Sequence, residues 1–169
     1  LSHLELYYGI SGIGAICHTV NPRLFKEQII FIINDARDKI LFVDLDFANL
    51  VEEISNELKT VETIIFLGKK NIINTKFNIK QKILAFEDLI EGQETLNCWP
   101  IFSENTASSL CYTSGTTGNP KGVLYSHRST ILHTIAAANP DSFNLSCTDV
   151  IMPIAPMFHA NAWGIPYIA

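Results

Sequence analysis

The chain is poor in charge. Asp, Glu, Lys and Arg make up 17% of its 169 residues, against roughly 25% in ordinary soluble domains, so part of its surface is expected to be covered by other polypeptide. The net charge is -5 and Lys and Arg form no cluster, which excludes nucleic acid as the main partner. Cys17, Cys98, Cys111 and Cys147 show no CxxC and no Cys/His pair at metal spacing, so neither a zinc site nor a disulfide framework is signalled; reduced thiols and a cytoplasmic location are the expectation. The longest apolar runs, such as IIFII at 29–33, fall far short of the ~20 residues that span a bilayer, and no basic leader precedes a short apolar stretch. No transmembrane segment is expected. What is present is a large apolar share, 47% on a broad count, enough for the core of one ordinary domain.

Periodicity suggests alternating helices and strands. NPRLFKEQIIFIINDAR reads as a helix with Asn21 as N-cap and Pro22 at its first position, placing Phe25, Ile29, Ile32, Ile33 and Ala36 on one face. KILFVD is a short solid apolar run of the kind that forms a strand covered on both faces. Phe47, Leu50, Val51, Ile54 and Leu58 mark a second helix, and VETIIFLG a second strand. This order points to an α/β fold with a largely parallel sheet and flanking helices. Residues 69–100 read as an irregular surface excursion, interrupted by a short helix around FEDLIEG. Residues 1–100 therefore form one α/β subregion and 101–169 another, both parts of one incomplete domain. In the second, strands are expected near Ser109–Thr113 and Val123–Ser126. A helix follows from about His127 to Ala138, bearing Ile131, Leu132 and Ile135 and stopped by Asn139 and Pro140, and a last strand lies in DVIMPIAPM. There is no internal repeat. Leu1 in place of Met and the apolar ending WGIPYIA read as cut ends.

The segment CYTSGTTGNPKGV (111–123) concentrates three threonines, a serine and three glycines before and after a lysine. Glycine lets an anion approach main-chain N–H groups, as at Gly115 and Gly118. Thr113, Ser114, Thr116 and Thr117 add small hydroxyl donors, and Lys121 a mobile cation. The set suits a polyphosphate. The Walker pattern is excluded, because Pro120 stands where its second glycine belongs, Gly122 where its Ser or Thr belongs, and VLY reads as a strand. GIGAIC at 12–17 lacks the third glycine of a dinucleotide fingerprint, and its glycines read as helix or turn packing. The alternative for the loop itself is a polar hairpin turn, which needs only about two to five such residues and no row of hydroxyls.

YTSGTTGNPKGV resembles the signature phosphate loop of the adenylate-forming superfamily. GVLYSHRSTILHT, PMFHANAWGIPY and CHTVNPRLFKEQ resemble its fatty acyl-CoA ligases of medium and long chain and the related 3-methylmercaptopropionyl-CoA ligases, the likeness being weakest over 69–100. The resemblance implies an ATP-dependent acid–thiol ligase. A carboxylate and ATP give an acyl-adenylate and pyrophosphate, and coenzyme A then displaces AMP. The partners implied are a fatty acid or 3-methylmercaptopropionate, ATP and CoA, with Mg2+ as cofactor and a homodimer open for the full-length enzyme.

By the same match Thr113 is the magnesium-contacting threonine, and Ser114, Gly115, Thr116, Thr117, Gly118 and Lys121 hold the triphosphate, with Lys121 also catalytic. His159 and Trp163 fall on the motif whose histidine and aromatic residue sit between nucleotide and acyl pocket: His159 catalytic and nucleotide-binding, Trp163 and Ala160 substrate-binding. Without the resemblance a histidine beside an aromatic reads as packing. Relatives often carry valine where Ala160 stands. His127 and Arg128 admit both an anion-facing and a capping role, whereas His3, His18 and His133 read as structural. A YGxTE-like motif with its glutamate, a TGD motif with its aspartate and the C-terminal domain with its lysine are absent from these residues. The chain is thus expected to cover about a third of a family member and not to turn over alone. A non-catalytic nucleotide-binding module, or a piece without function of its own, is the alternative.

Overall fold

The computed structural model describes residues 2–69, 77–113 and 119–169. Along the chain run α1 (Ser2–Gly12), β1 (Cys17–Thr19), α2 (Lys26–Ala36), β2 (Ile40–Val43), α3 (Ala48–Ile54), β3 (Thr63–Phe66), β4 (Lys82–Ala85), α4 (Phe86–Ile90), β5 (Ala107–Thr113), β6 (Lys121–Ser126) and α5 (His127–Ala138). A tight turn at Ala160–Trp163 and a helical turn at Ile165–Ile168 close it. The fold is mixed α/β, as the periodicity predicts. Contacts divide it into two compact units, Leu1–Asn21 with Cys98–Ala169, and Pro22–Asn97. The first residues group with the last because β1 pairs in parallel with β5, Cys17 opposite Ser109 and Thr19 opposite Cys111.

The Pro22–Asn97 unit is built on a three-stranded parallel sheet in the order β2-β3-β4. Ile64 and Phe66 on the central strand are fully buried, as a strand flanked on both sides and both faces requires. Ile29, Ile32 and Ile33 of α2 and Val51 and Ile54 of α3 complete the core. Strand β4 lies inside the stretch expected to be irregular: Lys82, Ile83, Leu84 and Ala85 pair with Thr63 to Phe66. Four residues with one lysine carry too little apolar pattern to announce a strand, and pairing with β3 supplies what local propensity does not. Helix α2 also starts later than its sequence suggests. Asn21 precedes a turn that Pro22 and Arg23 form, which the fixed φ of proline suits equally well, and the helix opens after Phe25, whose N–H donates to Gln28 Oε1 at 3.4 Å. Phe25 is 78% exposed and does not join the face of Ile29, Ile32 and Ile33.

The unit formed by the two ends carries the sheet β1-β5-β6, with β5 and β6 an antiparallel pair. Helix α5 has the expected bounds. Ser126 caps it, its hydroxyl accepting from Ser129 N–H at 3.1 Å while Ser129 Oγ accepts from Ser126 N–H at 3.0 Å. Its Ile131, Leu132 and Ile135 are exposed, however, as are Val150, Met152 and Ile154. The strand expected in DVIMPIAPM is not formed. Pro153 and Pro156 remove two main-chain donors from that run. Gly12 ends α1 against the Trp99 ring and Gly14 sits at φ +80 in the turn after it, the packing role their sequence suggests.

Candidate functional site

The antiparallel register of β5 and β6 organises the site. Ser109 lies opposite Tyr125, Cys111 opposite Val123, and Thr113 opposite Lys121. Residues two apart share a face of a strand, so these three pairs form one face of the hairpin. Leu110, Leu124, Tyr112 and Gly122 form the other, where His18 of β1 meets Tyr112 with ring centroids 5.3 Å apart. Thr113 and Lys121 are the last pair before the connecting loop. Both are exposed, and side chains directly opposite one another in such a ladder have Cβ atoms about 5 Å apart. Thr113 Oγ1 is 3.5 Å from Lys121 O, too long for a strong bond, which leaves the hydroxyl available. Lys121 is thus the first residue of β6 rather than the end of a loop. Among the described residues no acidic side chain pairs with it. Ser114, Gly115, Thr116, Thr117 and Gly118 lie outside the described residues.

A cavity of about 460 Å³ opens on the same face, at the other end of the hairpin. Ser109 and Tyr125 form its floor, Thr130, His133 and Thr134 of α5 one wall, and Ala160, Trp163 and Tyr167 another. From Ser109 to Thr113 is four residues, about 13 Å along a strand. The hydroxyls of Ser109 and Tyr167, the imidazole and the indole N–H supply donors, while Phe143, Trp163 and Tyr167 supply apolar surface; the hydroxyls of Thr130 and Thr134 are committed to Ser126 O and Thr130 O. Burial raises the pKa of Tyr125 and Tyr167, so both phenols stay protonated, that of Tyr125 bonded to Cys111. Ala160 and Trp163, singled out by sequence, do line this space. His159 is exposed and adjoins it in the chain without lining it.

The wall containing Ala160 and Trp163 has an unusual backbone. Ala160, Asn161, Ala162 and Trp163 all have φ between 44 and 58, a left-handed turn ended by Gly164 at φ 73. For residues bearing a Cβ this costs roughly 1–2 kcal/mol each, asparagine being among the few that visit the region readily. Strain of this kind persists only where surroundings over-determine it. Here Asn161, 5% exposed, donates from Nδ2 to Ser109 Oγ at 3.1 Å and accepts at Oδ1 from Thr19 Oγ1 at 3.1 Å. Tyr7 of α1 donates its hydroxyl to Met157 O and Tyr8 to Pro166 O, and their rings lie 5.9 and 5.8 Å from that of Tyr167. Tyr125, Asn161 and Tyr167 fall inside the strings that carry the family resemblance, but nothing in their residue type or spacing assigns them a role, and Ser109 stands outside those strings. Only the strand register and the turn bring them to the site.

His127, at the start of α5, packs on Phe102 with centroids 4.8 Å apart, and Arg128 pairs with Glu104 at 2.5 Å; both contacts are structural. Cys17 and Cys111 are buried and Cys98 and Cys147 exposed, all four free. Among the described residues no group of three or more His, Cys, Asp or Glu could hold a metal ion, and no helix is long and apolar enough to cross a membrane.

Fold and motif together define the class, an α/β domain of the type found in CoA ligases. A solved structure described as a long-chain-fatty-acid CoA ligase from Rhodopseudomonas palustris superposes on 98% of the chain with a TM-score of 0.79 at 23% identity, the match covering 38% of that protein. The chain belongs to the AMP-binding enzyme family, whose profile matches residues 1–169. It is 52% identical over 169 residues to the medium-chain-fatty-acid–CoA ligase of Ectopseudomonas oleovorans and 52% over 165 residues to the 3-methylmercaptopropionyl-CoA ligase of Ruegeria lacuscaerulensis. Those matches cover 100% and 98% of the chain but span only 31% and 30% of the two relatives. An anthranilate CoA ligase solved with anthranoyl-AMP aligns to 76% of the chain and 23% of its own length, with a TM-score of 0.66 at 30% identity.

Proposed function

We propose that the chain is the phosphate-loop part of an AMP-forming acid–thiol ligase that activates a fatty acid of medium or long chain. The observation that supports this most is the common face of the hairpin. Thr113 and Lys121 stand at the mouth of the hydroxyl- and glycine-rich loop, and Ser109 and Tyr125 floor a cavity walled by Ala160 and Trp163. A molecule laid along this face would meet a cation and a hydroxyl at one end and a partly apolar space at the other. That polarity fits a nucleotide triphosphate reacting with an acid that has a hydrocarbon body.

In this reading Lys121 draws the triphosphate into register and offsets the charge that builds on the phosphoryl oxygens as the carboxylate attacks. The loop residues Ser114, Gly115, Thr116, Thr117 and Gly118 hold the same phosphates through hydroxyls and main-chain N–H groups. Thr113 offers a single hydroxyl to Mg2+, which suits an ion that keeps several waters and is carried chiefly by substrate phosphates; when bound, the ion screens phosphate charge. His159 lies beside the cavity wall and donates a hydrogen bond to the carboxylate or α-phosphate. Trp163 and Ala160 bound the acyl body. CoA completes the reaction by displacing AMP. The catalytic groups of the remaining two-thirds of such an enzyme lie outside these residues, so the 169-residue chain alone is expected to bind nucleotide without turnover.

A second substrate, 3-methylmercaptopropionate, stands beside the first because the identity to its ligase is the same, 52% in each case. A pocket separates homologous acids by about 1–3 kcal/mol per methylene, so a panel resolves the two. In the complete ligase of which we propose this chain is a part, acid-dependent pyrophosphate release is expected. An acid of six or more carbons should be preferred at least tenfold over 3-methylmercaptopropionate, and the reverse order would reassign the substrate. No acid-dependent release from any member would refute the ligase reading.

A further inference from the structure

We infer that Asn161 is a positioning residue, one that acts through the turn it sits in to aim His159 and Trp163 at the acid. This rests on the ligase reading above and extends it to a residue at the back of the cavity whose amide is committed to the sheet rather than to a ligand. The turn at 159–163 has two sides: Asn161 and Ala162 are buried, and His159, Ala160 and Trp163 are exposed. The buried side is tied to two strands at once by a single amide group, Nδ2 to Ser109 Oγ on β5 and Oδ1 from Thr19 Oγ1 on β1. Ser109 is itself 1% exposed and forms part of the cavity floor. One side chain therefore couples the floor to the wall.

The need for that link follows from the backbone. Four consecutive residues hold the left-handed conformation, and none of Ala160, Ala162 and Trp163 favours it. Alanines provide no polar side-chain group to hold such a turn. The Asn161 amide supplies the side-chain hydrogen bonds that tie it to the sheet, while Tyr7, which bonds Met157 O, and Tyr8, which bonds Pro166 O, hold the chain on either side of the turn and not within it. With the amide removed, the main chain at 160–163 is free to relax to ordinary φ, which turns Trp163 out of the cavity wall and moves His159 with it.

Glycine tests this cleanly, because Asn161→Gly deletes the amide yet tolerates positive φ better than any other residue. Asp is the conservative variant: its carboxylate accepts from Thr19 as before, and the Ser109 hydroxyl can rotate to donate. Two measurements are combined. In the 169-residue chain carrying Trp99→Phe, Trp163 is the sole indole, and its fluorescence anisotropy reports the turn. Asn161→Gly is expected to lower it markedly, Ser109→Ala to lower it in part, and Asn161→Asp to leave it near the starting value. In the complete ligase Asn161→Gly should reduce kcat/KM for the acid about tenfold, equivalent to ~1.4 kcal/mol, and Asp should restore most of it. KM for ATP should stay within about twofold.

Anisotropy of Trp163 unchanged in Asn161→Gly would overturn the inference, as would a freely rotating Trp163 in the Trp99→Phe chain itself. Equal losses toward acid and ATP would overturn it too, since they indicate general unfolding. A ligase without acid-dependent pyrophosphate release would remove the reading on which the catalytic half rests, while the anisotropy still decides whether Asn161 fixes the turn.

Discussion

Gly164 offers the sharpest test of the cavity wall, because two separate forces act on it. It ends the left-handed turn at φ +73, and a Cβ built there would lie 2.8 Å from Nδ1 and 2.9 Å from Cε1 of His133. Gly164→Ala must therefore carry the backbone cost of a left-handed alanine, about 1–2 kcal/mol, and displace an imidazole. His133 is exposed, so its ring can swing away at the cost of a poorer rotamer, about 0.5–1.5 kcal/mol. The sum is about 1.5–3.5 kcal/mol. For a chain of this size 1 kcal/mol moves the melting temperature by about 2–4 °C, giving a loss of roughly 3–14 °C by circular dichroism. The double variant Gly164→Ala/His133→Ala should recover the steric share alone, leaving the backbone cost, with a coupling of about 1 kcal/mol in the cycle. A Gly164→Ala chain that melts within about 1 °C of the original would refute the left-handed turn. A double variant no better than the single would refute the contact with His133.

Two further outcomes follow from the buried side of β1. Burial pushes the Cys17 thiol from its ordinary 9.0 up to about 11. The fold thus favours the neutral form, and the stability it contributes is complete below pH 9 and lost as pH rises from there through about 11, a difference of ~2–3 kcal/mol. Tyr7 and Tyr167, whose pKa values burial also raises, extend the loss above pH 10. Urea titration at pH 7 and pH 10.5 should show it, and equal midpoints would contradict it. Iodoacetamide at pH 8 should alkylate the exposed Cys98 and Cys147 well before the buried Cys17 and Cys111, read by peptide mass spectrometry. Modification of all four at one rate would show that the β1–β5 face is open.

Much of the fold is legible in the sequence wherever one segment carries its own reason to form. IIFII and TIIF are too apolar to be anywhere but in a core, and His127–Ala138 has both a periodic face and a stop at Asn139 and Pro140. Where structure depends on a partner, the local text is silent. The residues of β4 join a sheet because β3 presents an open edge, not because KILA insists on it. Conversely, DVIMPIAPM looks like a strand by hydropathy but holds two prolines, which limit what a ladder can pair.

The site divides in the same way. The phosphate-binding role we propose for the hydroxyls, glycines and lysine of 113–121 comes from residue type alone, and Ala160 and Trp163 are marked by their motif. Thr113 facing Lys121 depends on a register that no spacing rule fixes. Ser109, Tyr125 and Tyr167 are ordinary residues until the hairpin, α5 and the last helical turn surround one space. Asn161 carries a faint signal, since an asparagine between alanines is a residue that tolerates a left-handed turn, but its two hydrogen bonds join positions 142 and 52 residues away.

Calorimetric titration of the 169-residue chain with ATP and magnesium decides whether the mouth of the β5–β6 hairpin grips the triphosphate, as we propose. A clear heat is expected with ATP, a much weaker one with AMP, and a loss of at least tenfold in affinity, about 1.4 kcal/mol, in Lys121→Ala. Binding of AMP as tight as that of ATP, with Lys121→Ala unaffected, would contradict that proposal.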